Sequence, residues 1–516
     1  MADTTKIWPI FRWANWGLSD DLFTGIQNSF YYSNDMEIRE DAKSIFPKQL
    51  PAYAATVWPN LWTNIGTWDS GQHEVVGCVY TGQDSWWIVC TNRYIYKVSL
   101  SLWTYTVTQL CTMSEDIVDI EVFNWYVYVS TKGHLYYKKN NGGNWSDMAS
   151  STDDSAQNYG RMSQALKSNG NHPLYASDVC LCVWDTNIMW RVTKEIPNLL
   201  QSWFEIDSDF YIRFINELWW FIRVTATNNI YGSQILLWDK VSDAATEIIP
   251  LEWYQALGSC IYHWYHYLIS DQWLWMMNWY QYYILKKMKS DLQTGVRNNM
   301  CVYDDKLYIV GAKWIYIYWA KNKNYPDVLN LWHQVEDWFS LWAISSKWED
   351  IIITRNYKYV AWGDNLPIRV WINSYWIADT TRATTWEVQT MCYYGTSMSE
   401  IKQSMYLRVG YHIPTAEDYD GTKQSWNIHI YYRTEADAVN DDMDSWQWHE
   451  VTKPAWLYAD WDMRSPFATT LKLNCRFQWI QFKFVVTNCV YTPSLIAETK
   501  DTNLYSADLY YNVMLD

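Results

Sequence analysis

Leu307-Tyr308-Ile309-Val310-Gly311, followed closely by Ile315-Tyr316-Ile317, is the stretch that decides the fold. An apolar run rich in β-branched and aromatic residues, a short polar turn, then a second run carrying an aromatic is a hairpin signature. The same unit begins at Trp87, Val127, Leu174, Phe221, His266 and Ile351, so successive starts along the chain differ by 40, 47, 47, 45, 41 and 44 residues. That spacing matches the roughly 40 to 50 residue period of four-stranded propeller blades. Radial packing gives each blade a neighbour on both faces, which explains inner strands that are apolar on both sides. Seven repeats give seven blades as the best count; six or eight also fit, and an array of β-sandwiches would space its strands similarly.

Outward from this unit the chain changes twice. From residue 386 to 516 the strands lengthen, as in Met405-Tyr406-Leu407-Arg408-Val409, Asn427-Ile428-His429-Ile430-Tyr431-Tyr432 and Phe482-Lys483-Phe484-Val485-Val486. We expect a separate β-sandwich there, of ordinary domain size. Residues 1–50 read as an extended N-terminal arm held by a few aromatic anchors, leaving 51–385 for the propeller. Helical periodicity is nearly absent, so the expected class is all-β: a β-propeller followed by a C-terminal β-sandwich.

The composition holds one anomaly. There are 38 tryptophans against 19 glycines, whereas globular proteins use glycine at about 7%. The tryptophans fall where turns want glycine. Phe123-Asn124-Trp125-Tyr126 separates two strand patterns, where a two-residue hairpin takes Asn-Gly with both residues at positive φ. Similar settings surround Trp279, Trp338, Trp348 and Trp461. We expect many of these positions to be UGA codons that the source reads as glycine. Trp145, Trp238, Trp448 and Trp479 sit in strand-like company and read as authentic packing residues. The competing reading is a tryptophan-rich glycan binder that stacks sugars on indoles.

The formal net charge of −16, from 40 basic and 56 acidic residues, argues against nonspecific nucleic-acid binding. No basic start with an apolar run marks a secretory signal, and no 18-residue apolar stretch marks a membrane span. The ten cysteines show no CxxC pair, so they read as small buried hydrophobes.

Little in the sequence points to chemistry. His263 and His266 are three apart, which in an alternating strand puts them on opposite faces. Glu417-Asp418-Tyr419-Asp420-Gly421 and Asn440-Asp441-Asp442-Met443-Asp444 gather carboxylates as calcium loops do, without the EF-hand pattern. Phosphate-loop, nucleophile-elbow and zincin motifs are missing. We therefore expect no catalytic, cofactor-binding or metal residues, no cofactor and no enzymatic activity, with glycoside hydrolysis as the alternative. Lys138-Lys139-Asn140-Asn141-Gly142-Gly143-Asn144-Trp145 resembles a degenerate Asp-box, a structural blade turn of sialidases and other propellers, with Asn140, Gly142 and Trp145 in matching places. A sialidase would also need clustered arginines, and Arg161, Arg191, Arg213, Arg223, Arg297, Arg355 and Arg369 form no motif.

With glycine restored, Phe11-Arg12-Trp13-Ala14-Asn15-Trp16-Gly17-Leu18-Ser19-Asp20-Asp21, then Gly25-Ile26-Gln27-Asn28-Ser29-Phe30 and Asp35-Met36-Glu37-Ile38-Arg39, resembles the opening of bacteriophage and prophage virion proteins. The chain is similar to tail-associated propeller proteins whose blades precede a β-sandwich ending in a strand like Arg476-Phe477-Gln478-Trp479-Ile480-Gln481-Phe482-Lys483. The resemblance covers the arm and the C-terminal domain, and the propeller by architecture alone. It implies a non-enzymatic structural protein of a phage tail, assembled in the host cytoplasm and located in the virion. Its implied partners are other tail proteins and further copies of itself, with a host surface glycan as the alternative ligand and neither nucleic acid nor membrane insertion. Recoded UGA is characteristic of some bacterial lineages and their phages.

Overall fold

The structure is a computed structural model. It describes residues 5–11, 30–34, 36–38, 45–47, 53–55, 75–82, 85–90, 93–101, 104–123, 126–131, 135–139, 146–147, 166–168, 178–183, 188–193, 199–203, 210–218, 221–228, 230, 232–239, 245–270, 273–278, 281–288, 299–319, 328–334, 339–346, 350–357, 369–374, 385–395, 397–412, 427–440, 445–451, 467–487 and 503–514. Cα packing divides the chain into two units, one of residues 1–52, 315–334 and 374–516, the other of 53–314 and 335–373.

Among the described residues, seven four-stranded antiparallel sheets follow one another in chain order, over 75–112, 117–147, 166–203, 211–252, 258–287, 300–334 and 339–374. Their first strands stand side by side in sequence, and Phe339–Ser346 of the seventh returns to Val75–Gly82 of the first. This is a propeller ring. The seventh sheet takes its fourth strand from Tyr53–Ala55, which pairs with Arg369–Ser374 in the register Val370↔Ala55 and Trp371↔Tyr53. A strand from the N-terminal side thus finishes the last blade, and the ring is held closed by backbone hydrogen bonds.

The fourth sheet shows why the sequence folds this way. Phe221–Asn228 and Gly232–Trp238 are buried along nearly their whole length, because each of these middle strands has a blade on both faces. The outer strand Glu247–Glu252 exposes Ile248 and Pro250. Proline is tolerated in a sheet at such an edge, where its missing N–H breaks no ladder.

The repeated unit corresponds to the second and third strands of a sheet, as in Lys306–Val310 with Trp314–Trp319 and Tyr126–Thr131 with Leu135–Lys139. Two repeats fall partly outside the described residues. Around the third, 174–177 lie outside them, and Asp178–Val183 is a strand pairing with Ile188–Thr193. In the seventh, the run at Tyr359-Val360 lies outside the described residues, and the next described strand after Asp350–Tyr357 is Arg369–Ser374.

The described strands within 1–52 and 374–516 of the other unit form two sheets, apart from Ser374, which ends a strand of the seventh sheet. One has the order Phe30–Asn34, Trp386–Thr390, Ile480–Thr487, Asn427–Thr434 and His449–Glu450. The second runs Met36–Ile38, Ile45–Pro47, Asn503–Val513, Lys402–His412 and Phe467–Lys472, with Lys6–Phe11 also on Asn503–Val513 and Arg476–Phe477 on Lys402–His412. Trp386, Val388, Phe482 and Phe484 of one sheet meet Leu407, Val409, Leu471 and Leu509 of the other in a shared core. This is the expected sandwich. The segment 1–50, read from sequence as an arm, supplies strands to both sheets. Trp8 anchors it, stacked on Tyr393 with centroids 4.1 Å apart, and Phe30 is buried in the same core. The reason is that Lys6–Phe11 and Phe30–Asn34 carry apolar residues whose burial needs a facing sheet.

Lys402 is the sandwich's unusual charge. It is buried, and its Nζ donates to the carbonyl oxygens of Ser397, Glu400 and Gln478 at 2.9, 2.8 and 3.1 Å. Burial lowers its pKa, while Glu400 and Glu435 oppose the shift. Gly395 turns beneath it at φ +68°, where an added Cβ would stand 2.8 Å from Lys402 Cε.

Candidate functional site

The most developed polar constellation in the propeller lies across the fourth and fifth sheets. Asn216 comes from Tyr211–Leu218, Ser259 from Gly258–Tyr262, His266 from Tyr265–Ile269 and Tyr282 from Gln281–Lys287. Ser259 Oγ lies 2.7 Å and Asn216 Nδ2 3.3 Å from His266 Nε2, and Asn216 Nδ2 also bonds Ser259 Oγ. On the other side of the ring, His266 Nδ1 is 2.8 Å from the Tyr282 hydroxyl. An amide N–H₂ only donates, so Nε2 is the acceptor and Nδ1 carries the proton it gives to Tyr282. Burial holds the His266 pKa well below the ordinary imidazole range, and the Arg223 guanidinium pushes the same way.

A serine hydroxyl on a histidine nitrogen has the outline of an activated nucleophile. The electrostatics point elsewhere. A base whose conjugate acid is this unfavourable has little driving force for taking a proton near neutral pH. Tyr282, whose own pKa is raised by burial with Arg223 opposing, offers no negative charge to stabilise an imidazolium. The arrangement satisfies buried polar groups and ties the fourth sheet to the fifth.

His263 does not join it. Instead of continuing an alternating strand, His263 and Trp264 form the two-residue turn between Gly258–Tyr262 and Tyr265–Ile269, with φ of 45° and 68°. His263 Nε2 lies 2.7 Å from Asp305 Oδ1 in the matching turn of the sixth sheet. The two histidines therefore share no ligand position.

Innermost strands carry a second pattern, missed in the sequence: Cys78-Val79-Tyr80, Cys260-Ile261-Tyr262 and Cys301-Val302-Tyr303. Burial raises the Cys301 pKa well above that of a free thiol; Cys260 and Cys78 add to the effect and a hydrogen bond from Ser346 opposes it. Cys78 is raised by burial as well. The Cys78 and Cys301 thiols are thereby held protonated; Cys78 is buried, while Cys260 and Cys301 are half-buried. Among the described residues no three His, Cys, Asp or Glu side chains are grouped to hold a metal ion.

In the sandwich, the face of the five-stranded sheet away from the core alternates rings and cations. The Arg433 guanidinium stands 4.4 Å from the Trp448 ring and 5.0 Å from Trp446, while Lys483 Nζ is 4.8 Å from Trp448 and 4.9 Å from Tyr431. Arg433 Nε donates to Gln481 Oε1 at 2.6 Å, and His429 Nδ1 meets Glu450 Oε1 at 2.9 Å. Burial lowers the Lys483 pKa, with Glu387 opposing and Arg433 reinforcing. Trp448 thus already engages two cations.

Other sequence candidates are placed only in part. Lys138 and Lys139 end the strand Leu135–Lys139, and residues 140–145 lie outside the described residues, as do 417–421 and 441–444. Asn440 accepts from Ser445 Oγ at 2.9 Å through its side chain and from Trp446 Nε1 at 2.8 Å through its carbonyl. Arg213 and Arg223 are buried, Arg223 donating to the Leu218 carbonyl at 3.2 Å; no side chain is described for Arg161, Arg191, Arg297, Arg355 or Arg369. Trp238 and Trp479 are buried, at 1% and 7% exposure. Trp125, Trp145, Trp279, Trp338, Trp348 and Trp461 lie outside the described residues.

The architecture defines an all-β protein made of a propeller and a sandwich. Neither a protein-family model nor a curated protein matches the chain. Among solved structures, one titled "YCF48 bound to D1 peptide" is similar over 58% of this chain and 93% of its own, with 11% identity and a TM-score of 0.42.

Proposed function

We propose that this chain is a structural protein of a bacteriophage tail, acting through protein–protein contacts and not through catalysis. The observation that carries this reading is that the described groups with catalytic outlines are engaged with one another. His266 is neutral and bonded on both ring nitrogens, and the Trp448 ring is held by Arg433 and Lys483. The resemblance of the opening segment, Phe11 to Arg39, to virion proteins supplies the setting. A ring of blades and a two-sheet sandwich are rigid supports whose loops suit contacts with neighbours.

The test is location. Antibodies to the chain should label purified phage particles at the tail, and genes for portal, capsid or tail proteins should flank its own. A chain that stays in the soluble lysate while particles band free of it contradicts the proposal.

A second reading, a glycan-binding or glycan-cleaving propeller, is favoured by exposed rings on the propeller unit: Trp253, Trp264, Tyr265 and Tyr283. Binding on a glycan array that disappears when these rings are replaced by alanine would support it, and an array without signal would remove it.

A further inference from the structure

We infer that positions 253 and 264 are glycines in the protein as its source makes it, and that the indoles there are a product of the codon table. The argument is stereochemical and independent of the phage reading. Six non-glycine residues have positive φ among the described ones: Arg93, Trp253, His263, Trp264, Asp304 and Asp305. Asp and His are among the types that visit this region more readily than most, since a short polar side chain can bond locally. A bulky aromatic has no such compensation.

The two turns demand glycine in different ways. Tyr262-His263-Trp264-Tyr265 is a two-residue hairpin with φ of 45° and 68° at its centre. That is the type I′ pattern, whose second position is the one most often filled by glycine. The equivalent hairpin of the next sheet, Tyr303-Asp304-Asp305-Lys306, has φ of 47° and 55°. Leu251-Glu252-Trp253-Tyr254 closes with Tyr254 N–H donating to the Leu251 carbonyl at 3.2 Å. Its third residue has φ of 68°, the position that needs glycine in a type II or I′ turn.

Burial agrees with the stereochemistry. Trp253 is 79% and Trp264 72% exposed, whereas Trp238 and Trp479 are buried and absent from the positive-φ set. Two populations of tryptophan follow: one that fills core volume, and one in exposed turns that the backbone shapes for glycine. The consequence for recognition is direct. The two most exposed indoles among the described residues of the propeller are not a sugar-stacking platform.

Two measurements test this. The gene should read TGA at codons 253 and 264 and TGG at 238 and 479; TGG at 253 and 264 overturns the inference. In protein made as written, Trp264→Gly and Trp253→Gly should each raise the folded-to-unfolded ratio about tenfold, the worth of relieving one left-handed side-chain clash. Trp264→Ala and Trp253→Ala should gain far less, because the Cβ remains. Equal gains from alanine and glycine, or a loss with glycine, would show that the backbone is not what the indole opposes and would also overturn it.

Discussion

His266 is an imidazole kept neutral by burial and by Arg223, and its hydrogen bonds with Ser259, Asn216 and Tyr282 depend on that neutrality. In the unfolded chain the same ring takes a proton near pH 6.5. Below that pH the unfolded state binds a proton that the folded state refuses, so folding stability is full above it and falls as pH drops. The slope expected from this residue is up to about 1.4 kcal/mol per pH unit. Urea titrations between pH 7 and 5 should show it, and His266→Gln should flatten that part of the profile. A parallel curve for the variant would mean that His266 protonates in the folded state. At the same scale, the raised thiol pKa values of Cys78 and Cys301 predict slow alkylation by iodoacetamide at pH 8 in native protein and fast alkylation in urea. Rapid native labelling at either would disprove their burial.

Among the propeller's strand pairings, the short strand Tyr53–Ala55 has a long reach, since it joins Arg369–Ser374 across most of the propeller's sequence. Deleting residues 53–55 should leave the seventh sheet with three strands, and amide exchange along 369–374 should accelerate by orders of magnitude. Unchanged protection there would mean that the ring closes without it. In the sandwich, Trp8 brings Lys6–Phe11 onto Tyr393 and the shared core. Trp8→Ala should cost about 3 to 5 kcal/mol in the sandwich's unfolding transition, measured by near-UV circular dichroism against urea, and a cost below 1 kcal/mol would refute the anchor role.

These elements also show what the sequence could and could not reveal. Alternation within Lys306–Val310 or Asn427–Thr434 is a local property, so strand type and the blade period were readable. Tyr53–Ala55 and Ile45–Pro47 are three residues each, too short for a period; the partner of the first, and one of the two partners of the second, lie hundreds of residues away. The His266 network gave no warning, because a lone histidine in an apolar strand looks the same whether its partners exist or not. The cations and rings of the sandwich's outer face were partly visible: Tyr431 and Arg433 are two apart within Asn427–Thr434 and so share a face.

For the whole molecule, the proposal is that two all-β units, whose His266 and Trp448 are engaged within the chain, serve a structural role in a phage tail. Peptide mass spectrometry of density-purified particles tests this most directly. The account predicts peptides of this chain in the particle band at a copy number comparable to known tail components, and their loss from particles whose tails are removed. Particles that contain the other tail proteins and no peptide of this chain would contradict it.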